Sequence, residues 1–335
     1  MPGFLGPFSA DIPLHIQQAG NEPAFKNINR WLSRADVQTI KATDVYSTLQ
    51  FLLHPQCALS LSGLLVDYEG IDTSAEFIYR IDPVHFKAES DHAILLGSNL
   101  LKPTEDEAVA LIEAFNQHFA EDNLSLIFSA ADRWYLQTRK ELSLDLKTID
   151  ECLGRDIKHF MPQGEDALWW RRILNEAQML FFQHEVNVQR EQNLQLSING
   201  LWLWDKTFTP GASEVKINTV FADDTLSMMF AECADVSHDS VDAFWAFDKP
   251  TANSLLFIDT FYDAASYGDI DAWLDALDSF ANDEFVQLNT ALIRGKCTDI
   301  FIYPCDGRVF HINRWKIARL WKSKKNITQL FAEPN

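Results

Sequence analysis

Residues 156–204 read DIKHFMPQGEDALWWRRILNEAQMLFFQHEVNVQREQNLQLSINGLWLW, and this stretch indicates the architecture more clearly than any other part of the chain. Pro162 and Gly164 favour a turn ahead of a long run whose apolar residues recur at helical spacing. A polar turn around Asn187 and Arg190 is expected next, before the apolar Leu-Trp-Leu-Trp run. The stretch therefore predicts a turn, a long helix, a polar turn and a strand.

The composition is that of a folded protein with an acidic surface. The chain has 335 residues, of which 47% are hydrophobic and 12% aromatic, and this length suits two domains. Its net charge of −20 is spread along the chain and repels phosphate backbones and anionic membrane surfaces. We therefore expect no nucleic-acid partner and no membrane partner.

The N-terminus and the cysteines predict a cytoplasmic protein. The first residues lack the basic segment and the continuous apolar run of a signal peptide, and no stretch is apolar for long enough to span a bilayer. The five cysteines include no Cys-x-x-Cys pair and are typical of small core residues in a reducing compartment.

The segments before this stretch predict α/β structure. The chain up to Ser60 is expected to be mainly helical, with Asp44 capping one helix. Thr104 and Glu107 form a capping box for a helix that lies between two predicted strands, so we interpret the region as a β-α-β unit. The predicted strands are 63–67, 76–81, 93–96, 125–128 and 134–136.

The C-terminal third predicts a second α/β region. Residues 254–259 are nearly all apolar, as a strand buried on both faces of a parallel sheet requires. A hairpin is expected around Cys305-Asp306-Gly307, followed by a basic helix over 314–325 with Ile317, Leu320 and Trp321 turned inward. A strand at 215–221 and helices at 271–280 and 285–295 complete the pattern.

Carboxylates and histidines offer two candidate metal sites. Asp82-Pro-Val-His85 and Asp91-His92 pair carboxylate with imidazole, although Asp-Pro is first a turn signal and we favour a structural role.

The second candidate metal site follows the apolar strand at 254–259. Asp259, Asp263 and Asp269 come where α/β proteins bind ligands, but Asp269 is equally well placed to cap the helix of Trp273.

Basic and polar side chains in the long stretch could bind an anionic group. Arg171 and Arg172 precede His184, Asn187 and Arg190, and guanidinium groups match phosphate and carboxylate oxygens. The alternative is a solvated helix face. The chain contains no Gly-x-Ser-x-Gly motif and no recognised Cys-His catalytic signature.

Four motifs of the stretch resemble the archaeal-type cofactor-independent phosphoglycerate mutases of the alkaline-phosphatase superfamily. They are Asp156-Ile157, Met161-Pro162-Gln163-Gly164, His184-Glu185-Val186-Asn187-Val188-Gln189-Arg190 and Ile198-Asn199-Gly200-Leu201-Trp202-Leu203-Trp204, and they occur in the family's order. The resemblance covers residues 70–205 and implies a domain inserted into a parallel-sheet core. The candidate ligand-binding residues are Asp156, His159, Arg171, Arg172, His184, Asn187, Arg190 and Asn199.

The whole chain also resembles a bacterial mutase-like family known as regulatory proteins of the pathogenicity-factor type. The resemblance rests on the Asp-Pro-Val-His, Asp-His, Asp-Arg-Trp-Tyr and Leu-Trp-Leu-Trp series.

The departures from the mutase pattern concern the catalytic groups. Active members of the superfamily use a Ser or Thr nucleophile and two metals held by Asp and His, but no Ser-Asp-x-Ala-Asn segment occurs before Ser60. Asp205-Lys206-Thr207 replaces a Gly-x-Gly, and the family's metal loop falls on 263–267, where Tyr267 replaces its His.

The resemblance therefore implies an α/β protein with a reduced alkaline-phosphatase-like core, residues 1–61 and 206–335, and an inserted smaller α/β domain, residues 62–205. We expect a catalytically degenerate, regulatory or ligand-binding relative that needs no cofactor and takes a small phosphorylated metabolite or a protein partner. The alternative is a metal-dependent phosphomutase or phosphatase, with Mn or Zn held by Asp259, Asp263 and Asp269. A third reading is an interaction protein with a Trp-rich surface that includes Trp169 and Trp202.

Overall fold

The computed structural model describes residues 1–6, 23–53, 60–71, 77–205, 216–246, 253–319 and 321–322. The chain divides into two compact units. Unit 1 comprises Met1–Cys57 and Pro210–Asn335, and unit 2 is the continuous segment Ala58–Thr209. The structure is mixed α/β, as predicted, and one of its sheets is parallel. In the described ranges, no helix combines the length and apolarity that a membrane crossing requires.

The α-helices and β-strands are numbered along the chain. The strands are β1 Asp36–Thr39, β2 Phe77–Ala88, β3 Ala93–Leu96, β4 Leu124–Ala130, β5 Arg133–Thr138, β6 Gly200–Trp204, β7 Thr219–Phe221, β8 Ser237–Asp239, β9 Ser254–Leu256, β10 Asp299–Ile302 and β11 Arg308–Asn313. The helices are α1 Pro23–Arg34, α2 Val45–Leu53, α3 Leu61–Glu69, α4 Ser98–Leu101, α5 Glu105–His118, α6 Ile149–Cys152, α7 Ala167–Phe182, α8 Glu185–Gln192, α9 Thr225–Cys233, α10 Val241–Ala246, α11 Tyr262–Ser266, α12 Ile270–Asn282, α13 Glu284–Ile293 and α14 Arg314–Ile317.

An antiparallel sheet forms the centre of unit 2. Its strands lie in the order β3-β2-β5-β4, and β6 also pairs with β2. Alternate residues of these strands, among them Ile81, Trp134 and Leu203, share a buried core with helices α5 and α7. The capping box of α5 is confirmed, because Glu107 N donates to Thr104 Oγ1 and Thr104 N donates to Glu107 Oε2. The predicted β-α-β unit is wrong, since every strand pair of this sheet is antiparallel.

Two further local predictions in unit 2, for residues 63–67 and for Asp82-Pro83, are also wrong. Residues 63–67 belong to helix α3, whose buried Leu61, Leu64 and Leu65 follow helical spacing and whose N-terminus is capped by Ser60. The expected turn at Asp82-Pro83 lies inside strand β2. Strand β5 pairs with β2 only as far as Ile81, so the missing N–H of Pro83 leaves no gap in that pairing.

The segment of Asn187 and Arg190 is a helix rather than a turn. Helix α8 begins after His184, whose Nδ1 accepts from Val186 N. The hypothesis of a Trp-rich interaction surface is wrong for Trp202, which is buried together with Trp170 and Trp204, whereas Trp169 is half-buried.

Two sheets belong to unit 1. The parallel sheet has the order β8-β7-β9, so the predicted strand at 254–259 is confirmed in orientation, although β9 is shorter and only half-buried. The other sheet has the order β1-β11-β10 and contains the predicted hairpin. Its apolar face packs with helices α1, α12 and α13 around Trp31, Trp273 and Phe280.

The basic C-terminal helix is shorter than predicted. Helix α14 has four residues, and Trp321 is 82% exposed instead of turned inward. Leu320 lies outside the described residues. Lys316, Arg319 and Lys322 instead surround Asp36 on β1, at 3.0, 2.6 and 3.7 Å. The hydrogen bonds and charges of Arg319 and Lys316 hold the pKa of Asp36 well below its usual range.

Candidate functional site

Arg190 and Asn187 are the most deeply buried of the eight candidate ligand-binding residues, each with 1% of its surface exposed. The Arg190 side chain makes three hydrogen bonds. Its Nε donates to Leu196 O at 2.7 Å, and its Nη2 donates to Leu101 O at 2.5 Å. Nη1 donates to Glu107 Oε2 at 2.7 Å, the same oxygen that caps α5. Arg190 therefore joins α8 to the start of α5 and to the loop that leads to β6.

Asn187 and Asn199 are also engaged in backbone contacts. The buried Asn187 side chain donates to Phe181 O and Ile198 O, and it accepts from Ile198 N at 2.7 Å. Asn199 accepts from Phe86 N and donates to Phe86 O, which imitates a strand pair beside β2. Both side-chain amides therefore hydrogen-bond to backbone groups, and the buried Asn187 needs such partners because a buried polar group without one is costly.

The other candidates lie on more open surface. Asp156 caps a short 3-10 turn by accepting from Lys158 N, and its carboxylate is 3.7 Å from the ring of His159, which is exposed. Arg172 is exposed and lies 3.6 Å from Asp122 and 3.5 Å from Glu176. Arg171 differs, because its buried Nε has no hydrogen-bond partner in the described part of the chain. The ligand-binding roles of these residues stay predictions.

Asp82, one of the candidate metal ligands, belongs to a buried polar layer on the opposite face of the unit 2 sheet. Arg80 and Asp82 alternate along β2 and are 2.5 Å apart. Trp204 Nε1 donates to Asp82 Oδ2 at 2.7 Å, and the Arg80 guanidinium lies 5.6 Å from the Trp204 ring centre. Burial raises the pKa of the Asp82 carboxyl, and the charge of Arg80 opposes that shift.

Glu69 at the end of α3 extends this polar layer. It accepts from Ser129 Oγ at 2.6 Å and from Tyr135 Oη at 2.8 Å, and Arg133 Nε is 2.5 Å from its other oxygen. Burial raises the pKa of Tyr135 well above its usual range, so the phenol stays a hydrogen-bond donor. The layer thus balances two guanidinium groups with two carboxylates.

The sequence does contain a signal for this layer. Polar and apolar residues alternate in Arg80-Ile81-Asp82 and in Arg133-Trp134-Tyr135, which is the period of a strand with two different faces. The alternation in Arg80-Ile81-Asp82 was not recognised as a strand, because the Asp-Pro that follows most often marks a turn.

Two acidic residues, Asp224 and Asp259, follow strands of the parallel sheet in unit 1. Asp224 follows β7 and caps α9 by accepting from Ser227 N at 2.8 Å. Burial raises its pKa, and the negative charge of Asp259, which follows β9, raises it further. Parallel strands commonly place ligand sites at the carboxyl edge of their sheet.

The three aspartates proposed as metal ligands do not form a metal-binding group. Among the residues that the structure describes, no cluster of three or more His, Cys, Asp or Glu side chains could hold a metal ion. Asp269 accepts from Ala272 N and caps α12, and Asp263 lies in the first turn of α11. The donor set present in the described ranges therefore does not fit a two-metal centre.

The two candidate histidines have other contacts. His85 Nδ1 lies 2.8 Å from Ser197 O, on the segment that leads to β6. His92 forms an exposed pair with its neighbour Asp91 at 2.7 Å, and this contact raises the pKa of His92. The structural reading of both residues agrees with these contacts.

Comparison with known proteins gives a distant relative. No family model matches the chain. The 2,3-bisphosphoglycerate-independent phosphoglycerate mutase of Methanosarcina mazei is 19% identical over 134 residues, which are 38% of this chain. The similarity is to cofactor-independent phosphoglycerate mutase. The match spans about one third of that relative's length, 34%.

Two solved structures align over most of the chain. The cofactor-independent phosphoglycerate mutase from Thermoplasma acidophilum DSM 1728 has 12% identity and a TM-score of 0.37, over 97% of this chain and 93% of its own. The PH0037 protein from Pyrococcus horikoshii has 10% identity and a TM-score of 0.45, over 91% of this chain and 84% of its own.

Proposed function

We propose that this chain is a catalytically degenerate relative of cofactor-independent phosphoglycerate mutase that binds a small phosphorylated metabolite and acts in regulation. The observation that carries the proposal is the geometry of Asp259, Asp263 and Asp269, which form no three-ligand group. Tyr267, in the position where the mutase resemblance expects His, is a poorer metal ligand than imidazole.

The domain assignment belongs to the same proposal. We take unit 1 as a reduced alkaline-phosphatase-like core and unit 2 as the inserted domain. The parallel arrangement of β7, β8 and β9 supports the first assignment, and the continuity of unit 2 within an interrupted unit 1 supports the second.

Arg171 is our candidate for the residue that holds the phosphoryl group. Its Nε is buried and has no hydrogen-bond partner among the described residues, and an unsatisfied buried guanidinium N–H costs free energy that an anionic ligand would recover. Arg190, in contrast, already donates from all three of its nitrogens.

The test joins calorimetry with metal analysis. Purified protein should bind 3-phosphoglycerate without turnover and without stoichiometric Mn or Zn. Arg171→Leu should weaken binding at least tenfold, which is about 1.4 kcal/mol. Arg294→Leu, at an exposed position in unit 1, is the matched control and should leave binding unchanged.

A second candidate function is a metal-dependent phosphomutase or phosphatase. The electrostatic repulsion between the carboxyls of Asp224 and Asp259 favours it, because a bound cation would offset that repulsion. Stoichiometric Mn or Zn together with turnover of 3-phosphoglycerate would establish this second function and overturn the first.

A further inference from the structure

The outer face of helix α7 carries an apolar stripe that the proposed function does not use. Leu168, Met179 and Phe182 are 80%, 67% and 70% exposed. At about 100° per residue they lie within roughly 40° of one line along the helix, together with Arg172 and Asn175. The opposite face holds the residues buried in the core of unit 2, namely Trp170, Ile173, Ala177 and Phe181. Exposed apolar residues aligned in this way are typical of an interaction surface.

The stripe is symmetric about Asn175. Leu168 and Phe182 lie seven residues to either side of it, and Arg172 and Met179 occupy the intermediate turns. A twofold axis through Asn175 would place a second α7 antiparallel to the first. Each Leu168 would then meet a Phe182 at either end of a contact about 21 Å long.

The charges on this face suit the antiparallel arrangement. Arg172 lies between Asp122 and Glu176 of its own chain. Across the axis it would be offset from the second copy's Glu176 by only about 3 Å along the helix, within reach of a flexible side chain. A parallel pair would instead oppose the two Arg172 guanidinium groups, which repel each other.

From these observations we propose that the outer face of α7 is a self-association surface, and that its occupant is a second copy of this chain bound antiparallel through α7. The contact is a single helix pair with a Leu168–Phe182 pair at each end. It therefore belongs to the small, weak class of interfaces and forms in the micromolar range.

Sedimentation and light scattering over a range of concentrations test the proposal on the full chain. The apparent mass of the wild-type protein should double as its concentration rises through the micromolar range, and Leu168→Ser with Phe182→Ser should remain monomeric. Met179→Gln is a milder second variant that should shift the transition to higher concentration. All three positions are exposed, so the circular dichroism spectrum should not change.

The matched control removes apolar surface of similar exposure from unit 1. Val286→Ser with Ile293→Ser, at positions 50% and 64% exposed on α13, should leave the mass transition unchanged. A wild-type protein that stays monomeric, or a control that dissociates as the α7 variant does, would overturn the proposal.

Cross-linking tests the orientation. Asn175→Cys places two thiols on the axis, so oxidation should link two chains. Gln183→Cys, eight residues away on the same helix, would keep its thiols about 24 Å apart and should not link. Oxidation of the wild-type protein under the same conditions measures any cross-linking through its native cysteines. Equal linking of the two variants would refute the antiparallel geometry.

Discussion

Replacing Arg190 with Met tests whether this side chain serves stability or ligand binding. The change keeps an unbranched apolar stem and removes three hydrogen bonds, to Leu196 O, Leu101 O and Glu107 Oε2. Breaking a buried charged pair by removing one partner costs about 3–5 kcal/mol. Glu107 is 20% exposed and also accepts from Thr104 N, so we expect the lower end, about 3 kcal/mol.

Thermal unfolding followed by circular dichroism measures this loss. For a unit the size of unit 2, about 3 kcal/mol corresponds to a Tm lower by roughly 6–12 °C. A chain with two units need not unfold in one step, so hydrogen exchange should also show where protection is lost. We expect the loss in α5 and α8, because Arg190 joins these helices.

Two further variants separate the cost of leaving the Glu107 charge unpaired from the effect of removing any arginine. Glu107→Gln in the Arg190→Met background should restore part of the stability, because it removes the charge left without its partner. Arg172→Met is the matched control, and its exposed ion pairs should contribute less than about 1 kcal/mol. If Arg190→Met melted like the wild-type protein but lost 3-phosphoglycerate binding, the structural role of Arg190 would be refuted.

Three other changes have defined outcomes. Leu194 has φ 58° and is 96% exposed, so Leu194→Gly should raise the free energy of unfolding by about 1 kcal/mol in urea titrations; a loss would reveal a stabilising contact of the leucine. Gly164 has φ 120°, and an added Cβ would lie 2.3 Å from Ser143 O, so Gly164→Ala should cost more than about 1 kcal/mol in the same titration, with an unchanged midpoint as the contrary result. Burial raises the pKa of Asp82, so the folded protein holds this proton more tightly than the unfolded chain, and the contribution of Asp82 to the free energy of unfolding should fall as the pH rises from about 4 through the raised pKa. Asp82→Asn cannot titrate, so its stability relative to the wild-type protein should improve over that pH window, and a constant difference would count against the burial argument.

Local signals in the sequence were sufficient for elements that local contacts determine. The capping box of Thr104 and Glu107 marked the start of α5, and Asp306-Gly307 marked the turn between β10 and β11. Short apolar runs were ambiguous, because helical and strand spacing differ little over four or five residues. For this reason a strand was predicted at 63–67, where the structure has a helix.

Long-range pairing was not accessible from pattern alone. Strand β1 pairs with β11, so Asp36 lies opposite His311, and nothing in the four residues of β1 indicates that partner. The contacts of Arg190 were missed for the same reason. Its residue type fits an anion site and a buried structural tie equally well, and only the position of Glu107 distinguishes between them.

The hydrogen bond between Ser62 N and Asp205 Oδ1, with Ser62 Oγ accepting from Arg80 N, brings together the two ends of unit 2. Strands β1 and β11 of unit 1 are separated by most of the chain, and unit 2 accounts for roughly 150 residues of that separation. Once unit 2 has folded, its two ends lie close together, so it adds few residues to the effective loop between the two segments of unit 1. Each halving of the effective loop saves about 0.6 kcal/mol of closure entropy, so the folding of unit 2 should lower the entropic cost of pairing β1 with β11.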